Sequence, residues 1–257
     1  MRCFSALNSQ RVIQETDMEK EKMNYEGVDS WETIILLYNS ALKEIGTKLA
    51  ILNDEFQHVH QYNPIEHMKS RIKTPESIVK KLKRRGYEST IENMVKYVND
   101  IAGVRVICSF TSDIYRVAEI LANQSDINVL SIKDYIKHPK ESGYKSYHMI
   151  VTVPIFLSDG VVDTKVEIQI RTVAMDFWAS LEHKINYKYE GDAPEHIKRE
   201  LFECAEMVSD LDAKMMSLNE EIRDAHEQQE SEQEKRQHEK HEAEKTFFME
   251  RFYGEAE

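Results

Sequence analysis

Residues 166–183, VEIQIRTVAMDFWASLEH, contain a change of period that decides the fold. Val166, Ile168 and Ile170 alternate with Glu167, Gln169 and Arg171, so a strand carries apolar side chains on one face and polar ones on the other. From Thr172 onward Val173, Phe177, Trp178, Leu181 and Ile185 recur at helical spacing. A polar strand face that runs into a helix start is a natural ligand site, and Val173, Phe177 and Trp178 are expected to supply the packing that fixes it.

Working outward, YHMIVTVP and the turn at Ser158-Asp159-Gly160 predict that strands 147–154 and 162–171 pair as an antiparallel hairpin. GVRVICSF at 103–110 and residues 127–132 read as further strands, with a helix between them from Asp113 to Asn123. The expected class is α+β, a mixed sheet of about five strands flanked by helices, with long helices at both ends.

Before the sheet, Ile34, Leu37, Tyr38, Ala41, Leu42, Ile45, Leu49, Leu52, Phe56 and Val59 predict a long amphipathic helix. Asp29 and Glu32 have the spacing of its capping box, and Asn63-Pro64 lies beyond its end. In RIKTPESIVKKLKRRG, Thr74 caps a second helix, Pro75 suits its first position and Gly86 its end. Lys73, Ser77, Lys80, Lys81 and Arg84 share a side of it while Ile78 and Leu82 face inward; a solvated basic face and a phosphate-binding face both fit this pattern.

After a Gly-Asp-Ala-Pro break at 191–194, Leu201, Ala205, Val208, Leu211, Met215, Leu218, Ile222 and Ala225 form a near-heptad seam, suited to packing on its own domain or to a partner helix. The expected organisation is an arm at 1–28, a main domain with its leading helix at 29–190, an amphipathic helix at 191–226 and a charged tail at 227–257, helical or disordered.

The 41% hydrophobic content suffices for a sizeable core, and the net charge of −12 argues against general nucleic-acid binding and so against DNA as a partner. Eight basic residues between Lys69 and Arg85, against Glu76 alone, nevertheless make a local cationic patch suited to a compact polyanion such as a nucleoside triphosphate. No apolar run reaches the roughly 18 residues of a membrane span, and the start lacks a secretory pattern, so a cytoplasmic protein without a membrane partner is expected. Cys3, Cys108 and Cys204 are scattered and indicate neither a disulfide framework nor a zinc site, with Cys108 expected in the core.

Charged groups that interrupt apolar strands are the best chemical candidates, because desolvating an unpaired charge is costly. Asp100, Arg105, Glu167, Gln169 and Arg171 qualify. Asp100 and Glu167 together suit a hard cation such as Mg2+, which keeps places for water and substrate phosphates; pairing of each acid with a neighbouring arginine is the plainer alternative. KHPKESGYKSYH supplies Lys140, Lys145 and His148 for phosphate, with Tyr144 as an exposed ring for a base to stack on. With no glycine-rich phosphate loop anywhere, side chains must hold any nucleotide.

Four ordered blocks, RIKTPESIVKKLKRRG, NDIAGVRVICSF, DYIKHPKESGYKSYH and VEIQIRTVAMDFWASLEHK, resemble the synthetase domain of the RelA/SpoT family. The length and the C-terminal helix resemble its small alarmone synthetases, whose fold is nucleotidyltransferase-like. The resemblance implies transfer of the β,γ-pyrophosphate of ATP to the ribose 3′-hydroxyl of GDP or GTP, giving ppGpp or pppGpp and AMP. It further implies that Arg71 and Arg105 sandwich adenine, that Lys73, Ser77, Lys81 and Arg84 serve ATP, and that Asp100 and Glu167 hold Mg2+, with Glu167 acting on the 3′-hydroxyl. Tyr144 would stack on guanine, Lys140, Lys145 and His148 lie near the acceptor's phosphates, and Gln169 lie near its ribose. Asp176 departs from the asparagine common there, although a carboxylate still accepts from guanine donors. The chain contains no His-Asp dipeptide of the kind that marks the family's hydrolase, so synthesis without hydrolysis is expected. A homotetramer with an alarmone-binding cleft is also implied, RNA being the other candidate regulatory ligand. The competing reading is a catalytically inactive nucleotide-sensing or RNA-binding regulator on the same fold.

Overall fold

The computed structural model describes residues 31–60, 62–187 and 193–253. The expected arm, the Asp29 cap and Gly191-Asp192 of the break lie outside the described residues. The elements run α1 (Trp31–His58), β1 (Ile65–Ile72), α2 (Pro75–Arg84), α3 (Ile91–Tyr97), β2 (Ala102–Cys108), α4 (Thr111–Ala122), β3 (Asn128–Asp134), β4 (Tyr147–Leu157), β5 (Gly160–Thr172), α5 (Val173–Tyr187) and α6 (Glu195–Tyr253).

One five-stranded sheet has the order β1-β2-β5-β4-β3. β2 and β5 are parallel, and every other neighbouring pair is antiparallel. The sheet is therefore mixed, as the sequence predicts, and β4 and β5 form the expected hairpin, closed at Leu157 and Gly160. β1 and α3 lie where no regular element is expected. β1 is an edge strand whose side chains are mostly exposed, so it lacks an apolar alternation, and α3 is a single short segment capped by Thr90.

One face of the sheet makes the core. Val104, Val106, Met149, Val151, Val166, Ile168 and Ile170 are buried there with the stripe of α1, which crosses β1, β2, β4 and β5. Val59, expected to extend that stripe, instead lies one residue past the helix and is 74% exposed. Cys108 is in the core as expected, and burial raises its thiol pKa. α2 forms as predicted: Thr74 Oγ1 accepts from the Ser77 amide at 3.4 Å, Ile78 and Leu82 are buried, and Gly86 supplies a φ of +80° past the helix end.

The helix after β5 departs from expectation. Trp178 is buried, but Val173 and Phe177 are 52% and 60% exposed, with Leu181 and Ile185 also uncovered. Helical spacing identifies a common face without specifying what lies against it. Trp178 instead donates from Nε1 to the Leu201 carbonyl of α6 at 3.0 Å, and joins Ala179 and Ala205 in a second small core flanked by Tyr144 and Val208.

The described residues form two compact units that divide between Val208 and Ser209, so the first turns of α6 belong with the sheet. In the second unit, Leu211, Met215, Leu218 and Ile222 of the predicted seam are all exposed.

Gly143 shows how closely α6 approaches the loop before β4. Its φ is +81°, and a Cβ added there would lie 2.6 Å from Ala205 Cβ and 3.4 Å from Phe202. Gly143→Ala is expected to lower stability by about 1–3 kcal/mol, and Ala205→Gly to restore only the clash component. Urea unfolding of both variants and the double variant checks this, and strict additivity would show that the close contact is not the cause.

Candidate active site

The parallel register of β2 with β5 and the antiparallel registers on either side place functional groups in rows across the polar face. Arg71, Gly103, Glu167 and Ile150 occupy one row, and Lys69, Arg105, Gln169 and His148 the next. Gly103 leaves the space between Arg71 and Glu167 without a side chain, and a pocket opens there lined by Lys69, Ser70, Arg71, Arg105, Glu167 and Gln169 among others.

Asp100 lies at the turn between α3 and β2. Lys73 Nζ reaches its Oδ2 at 2.8 Å and Lys81 Nζ its Oδ1 at 2.7 Å. Burial raises its pKa, but the hydrogen bonds and charges of the two lysines outweigh that effect and hold it below the usual carboxylate value. Glu167 follows the same logic. Burial raises its pKa, yet the hydrogen bond and charge of His148 and the Gln169 amide, donating to Oε2 at 2.8 Å, leave it lowered. The charge of Asp100 acts on Glu167 in the opposite sense, which places the two acids within electrostatic reach of each other. Two ionised oxygen donors suit Mg2+, which commonly takes one or two carboxylates plus substrate phosphates. No group of three or more His, Cys, Asp or Glu side chains that could hold a metal ion exists among the described residues.

On the other side of Glu167 lies a network centred on Arg171, which is buried. Its Nη1 donates to Asp176 Oδ1 at 2.9 Å, its Nη2 to Tyr144 Oη at 2.6 Å and to Gln169 Oε1 at 3.1 Å, and its Nε to Ser146 Oγ at 3.3 Å. Tyr144 Oη is 2.9 Å from His148 Nε2, and His148 Nδ1 is 3.5 Å from Glu167 Oε1. The Tyr144 hydroxyl accepts from Arg171, and the His148 ring bridges that hydroxyl to the Glu167 carboxylate. Arg105 also reaches Asp176 Oδ1, at 3.0 Å. Its pKa is lowered, first by burial and then by the charge of Arg171.

Most of the predicted residues therefore converge, although several in an altered setting. Asp100 pairs with lysines rather than an arginine, and Lys73 lies just after β1, outside the helix whose basic face it was expected to share. Tyr144 is half-buried, not exposed, with Lys140 Nζ 4.6 Å from its ring centroid. Lys145 is half-buried in the same loop. Ser77 is held in the α2 cap by the Thr74 hydroxyl at 3.0 Å, and Arg84 is exposed at the other end of that helix. Sequence reasoning gave no role to Tyr135, whose ring lies under Lys140 and edge-on to His148, or to Lys165. The signal for Lys165 was present: it precedes Glu167 by one full strand repeat and so continues the polar face.

Comparison with known proteins bears on this arrangement. The family description "Region found in RelA / SpoT proteins" matches residues 70–192. GTP pyrophosphokinase YwaC of Bacillus subtilis is 48% identical over 195 residues, covering 76% of this chain and 93% of the relative. GTP pyrophosphokinase YjbM of the same organism is 38% identical over 195 residues, covering 76% and 91%. The crystal structure of small alarmone synthetase 1 from Bacillus subtilis, bound to its product pppGpp, superposes with a TM-score of 0.70 at 38% identity, covering 75% of this chain and 97% of that one.

The Asp100 setting predicts a pH dependence. Its folded-state pKa is depressed, so its contribution to stability is present above the unfolded value of about 3.9 and is lost as pH falls through the folded value. Asp100→Asn should be clearly less stable than the parent in urea at neutral pH, with the gap closing as the pH is lowered below about 4. A gap that persists unchanged into acid would contradict the ionised pairing with Lys73 and Lys81.

Proposed function

This chain belongs to the small alarmone synthetases of the RelA/SpoT family, and on that premise we propose that it transfers the β,γ-pyrophosphate of ATP to the 3′-hydroxyl of GDP or GTP. The bond formed joins the ribose 3′-oxygen to the β-phosphorus, the bond broken links that phosphorus to the α-phosphate's bridging oxygen, and AMP leaves. The products are ppGpp or pppGpp. The observation that carries the reading is the row of Arg71, Gly103 and Glu167, which sets an ionised carboxylate beside an open floor rimmed by arginine.

The donor side follows from the basic segment. Arg71 and Arg105 present planar guanidinium groups suited to stacking on adenine, and Lys73, Ser77, Lys81 and Arg84 supply donors to its phosphates. The acceptor side takes Tyr144 for stacking, Gln169 for the ribose, Asp176 for the guanine edge, and Lys140, Lys145 and His148 for phosphate. Glu167 orients the 3′-hydroxyl and receives its proton as the oxygen attacks. Asp100 and Glu167 are the residues that would hold Mg2+, which when bound supplies charge neutralisation on the triphosphate. The exposed seam of Leu211, Met215, Leu218 and Ile222 supports assembly as a homotetramer, checked by light scattering. Among the described residues no helix is long and apolar enough to cross a membrane, and we place the reaction in the cytoplasm.

Incubation of purified protein with ATP, Mg2+ and either GDP or GTP should yield AMP with the tetra- or pentaphosphate, and repetition with added product tests regulation. Binding of both nucleotides without turnover would overturn the synthetase reading in favour of a silent regulator. Glu167→Gln should cut turnover by at least about 100-fold while nucleotide binding by calorimetry stays near the parent value; parent-like turnover refutes the role. Tyr144→Ala should raise the acceptor KM roughly 10-fold and leave the ATP KM nearly unchanged, in line with the roughly 1–3 kcal/mol of a base stack.

A further inference from the structure

Lys165 is a charged residue that the fold buries on the polar face of β5. It is 4% exposed, on β5 between the buried Thr164 and Val166. Its Nζ donates to the Val95 carbonyl at 3.1 Å, the Lys96 carbonyl at 3.4 Å and Asn99 Oδ1 at 3.2 Å. An ammonium has three N–H groups, and these acceptors use all of them. None of the three is a carboxylate, so the charge is balanced only by carbonyl dipoles, two of them in the last turn of α3 where a cation is favoured. A buried charge so placed is costly beside an apolar residue of the same volume.

The location of the acceptors explains its retention. Val95, Lys96 and Asn99 flank the segment that ends in Asp100, and Lys165 stands one strand repeat before Glu167 on the same face of β5. A single strand thus carries one acid directly and, through Lys165, grips the turn that carries the other. We propose that Lys165 is a positioning residue that fixes the turn around Asn99 and Asp100 against β5 and thereby sets the spacing of the Asp100 and Glu167 carboxylates. This rests on the reading of those two acids as the cation-holding pair. Lys73 and Lys81 grip the Asp100 carboxylate itself, whereas Lys165 grips the backbone segment that precedes it.

The test compares Lys165→Met, which keeps volume and removes the charge, with Asn99→Ala, which removes one acceptor. Binding of Mn2+ in the presence of the α,β-methylene analogue of ATP, followed by electron paramagnetic resonance, should weaken roughly 10- to 100-fold in Lys165→Met and less in Asn99→Ala, as expected for a group that orients a metal ligand. kcat should fall by a similar factor with the acceptor KM within about twofold of the parent. Amide exchange should quicken at 98–101 while β4 and β5 stay protected. Parent-like Mn2+ affinity in folded Lys165→Met overturns the proposal. So does an affinity loss that appears only with global loosening of the sheet while Asn99→Ala binds like the parent. A parent protein that makes product yet takes no Mn2+ at these acids would overturn the cation reading instead, and a parent that makes no product at all would overturn the proposed reaction.

Discussion

The parallel pairing of β2 with β5 is the constraint on which the rest depends. It is the sheet's one parallel contact, and it sets Gly103 opposite Glu167 and Arg105 opposite Gln169. Parallel neighbours require a crossover, and the chain supplies it with α4, β3 and β4 before returning as β5. That path brings β4 down the other side of β5, so that His148 and Ile150 complete the same rows. A slip of one residue in either register would turn Glu167 and Gln169 into the α1 core and expose Val166 and Ile168. The apolar face, buried under α1, thus enforces the geometry of the polar face, and no separate device is needed to bring residues 71, 103, 148 and 167 together.

The polar face is rich in cations and nonetheless keeps its acids charged. Each acid is buried enough to favour protonation, and each is returned to the ionised state by specific donors, lysines for Asp100 and the His148–Gln169 pair for Glu167. The cations are in turn mutually strained: Arg105 and Arg171 share one oxygen of Asp176, and the charge of Arg171 disfavours that of Arg105. A site with more positive groups than internal counter-charges is poised for a polyanion, because phosphate oxygens relieve that repulsion on arrival. The overall charge of −12 is no obstacle, since solvent screens exposed charges beyond roughly 10 Å and the local balance at the site is cationic.

What the sequence revealed depended on whether a residue's neighbours were local. The alternation from Val166 to Arg171 reads directly as one buried and one polar face, because period two is a property of the strand itself. The cap at Thr74 and the turn at Ser158-Asp159-Gly160 are equally local. β1 was not legible because an edge strand with IEHMKSRI has little apolar alternation to show, and its identity comes from pairing with β2. The lysine partners of Asp100 were missed for the same reason, since Lys73 and Lys81 reach it from separate points across the junction of β1 and α2. For Val173 and Phe177 the periodicity was right and the inference of burial wrong, because an apolar stripe states a preference that a single copy of the chain leaves unmet.

The same reasoning bears on the loop that carries Tyr144. Its ring is fixed by Arg171 and His148 through its hydroxyl and flanked by the small core of Trp178, Ala179 and Ala205. Gly143 is needed so that the first turns of α6 approach without a Cβ in the way. Tyr144 therefore answers to two masters: the polar network fixes its hydroxyl end, and the packing of α5 on α6 fixes its backbone. The polar network is satisfied group by group and is rigid. The packing contact is small, one tryptophan and two alanines, so it holds the loop with far less free energy than the main core holds the sheet. Glu167 consequently sits on a strand backed by the main core and Tyr144 on a loop backed by the small one, an asymmetry that suits the roles proposed for them, a fixed reacting centre and a ring that admits and releases an acceptor.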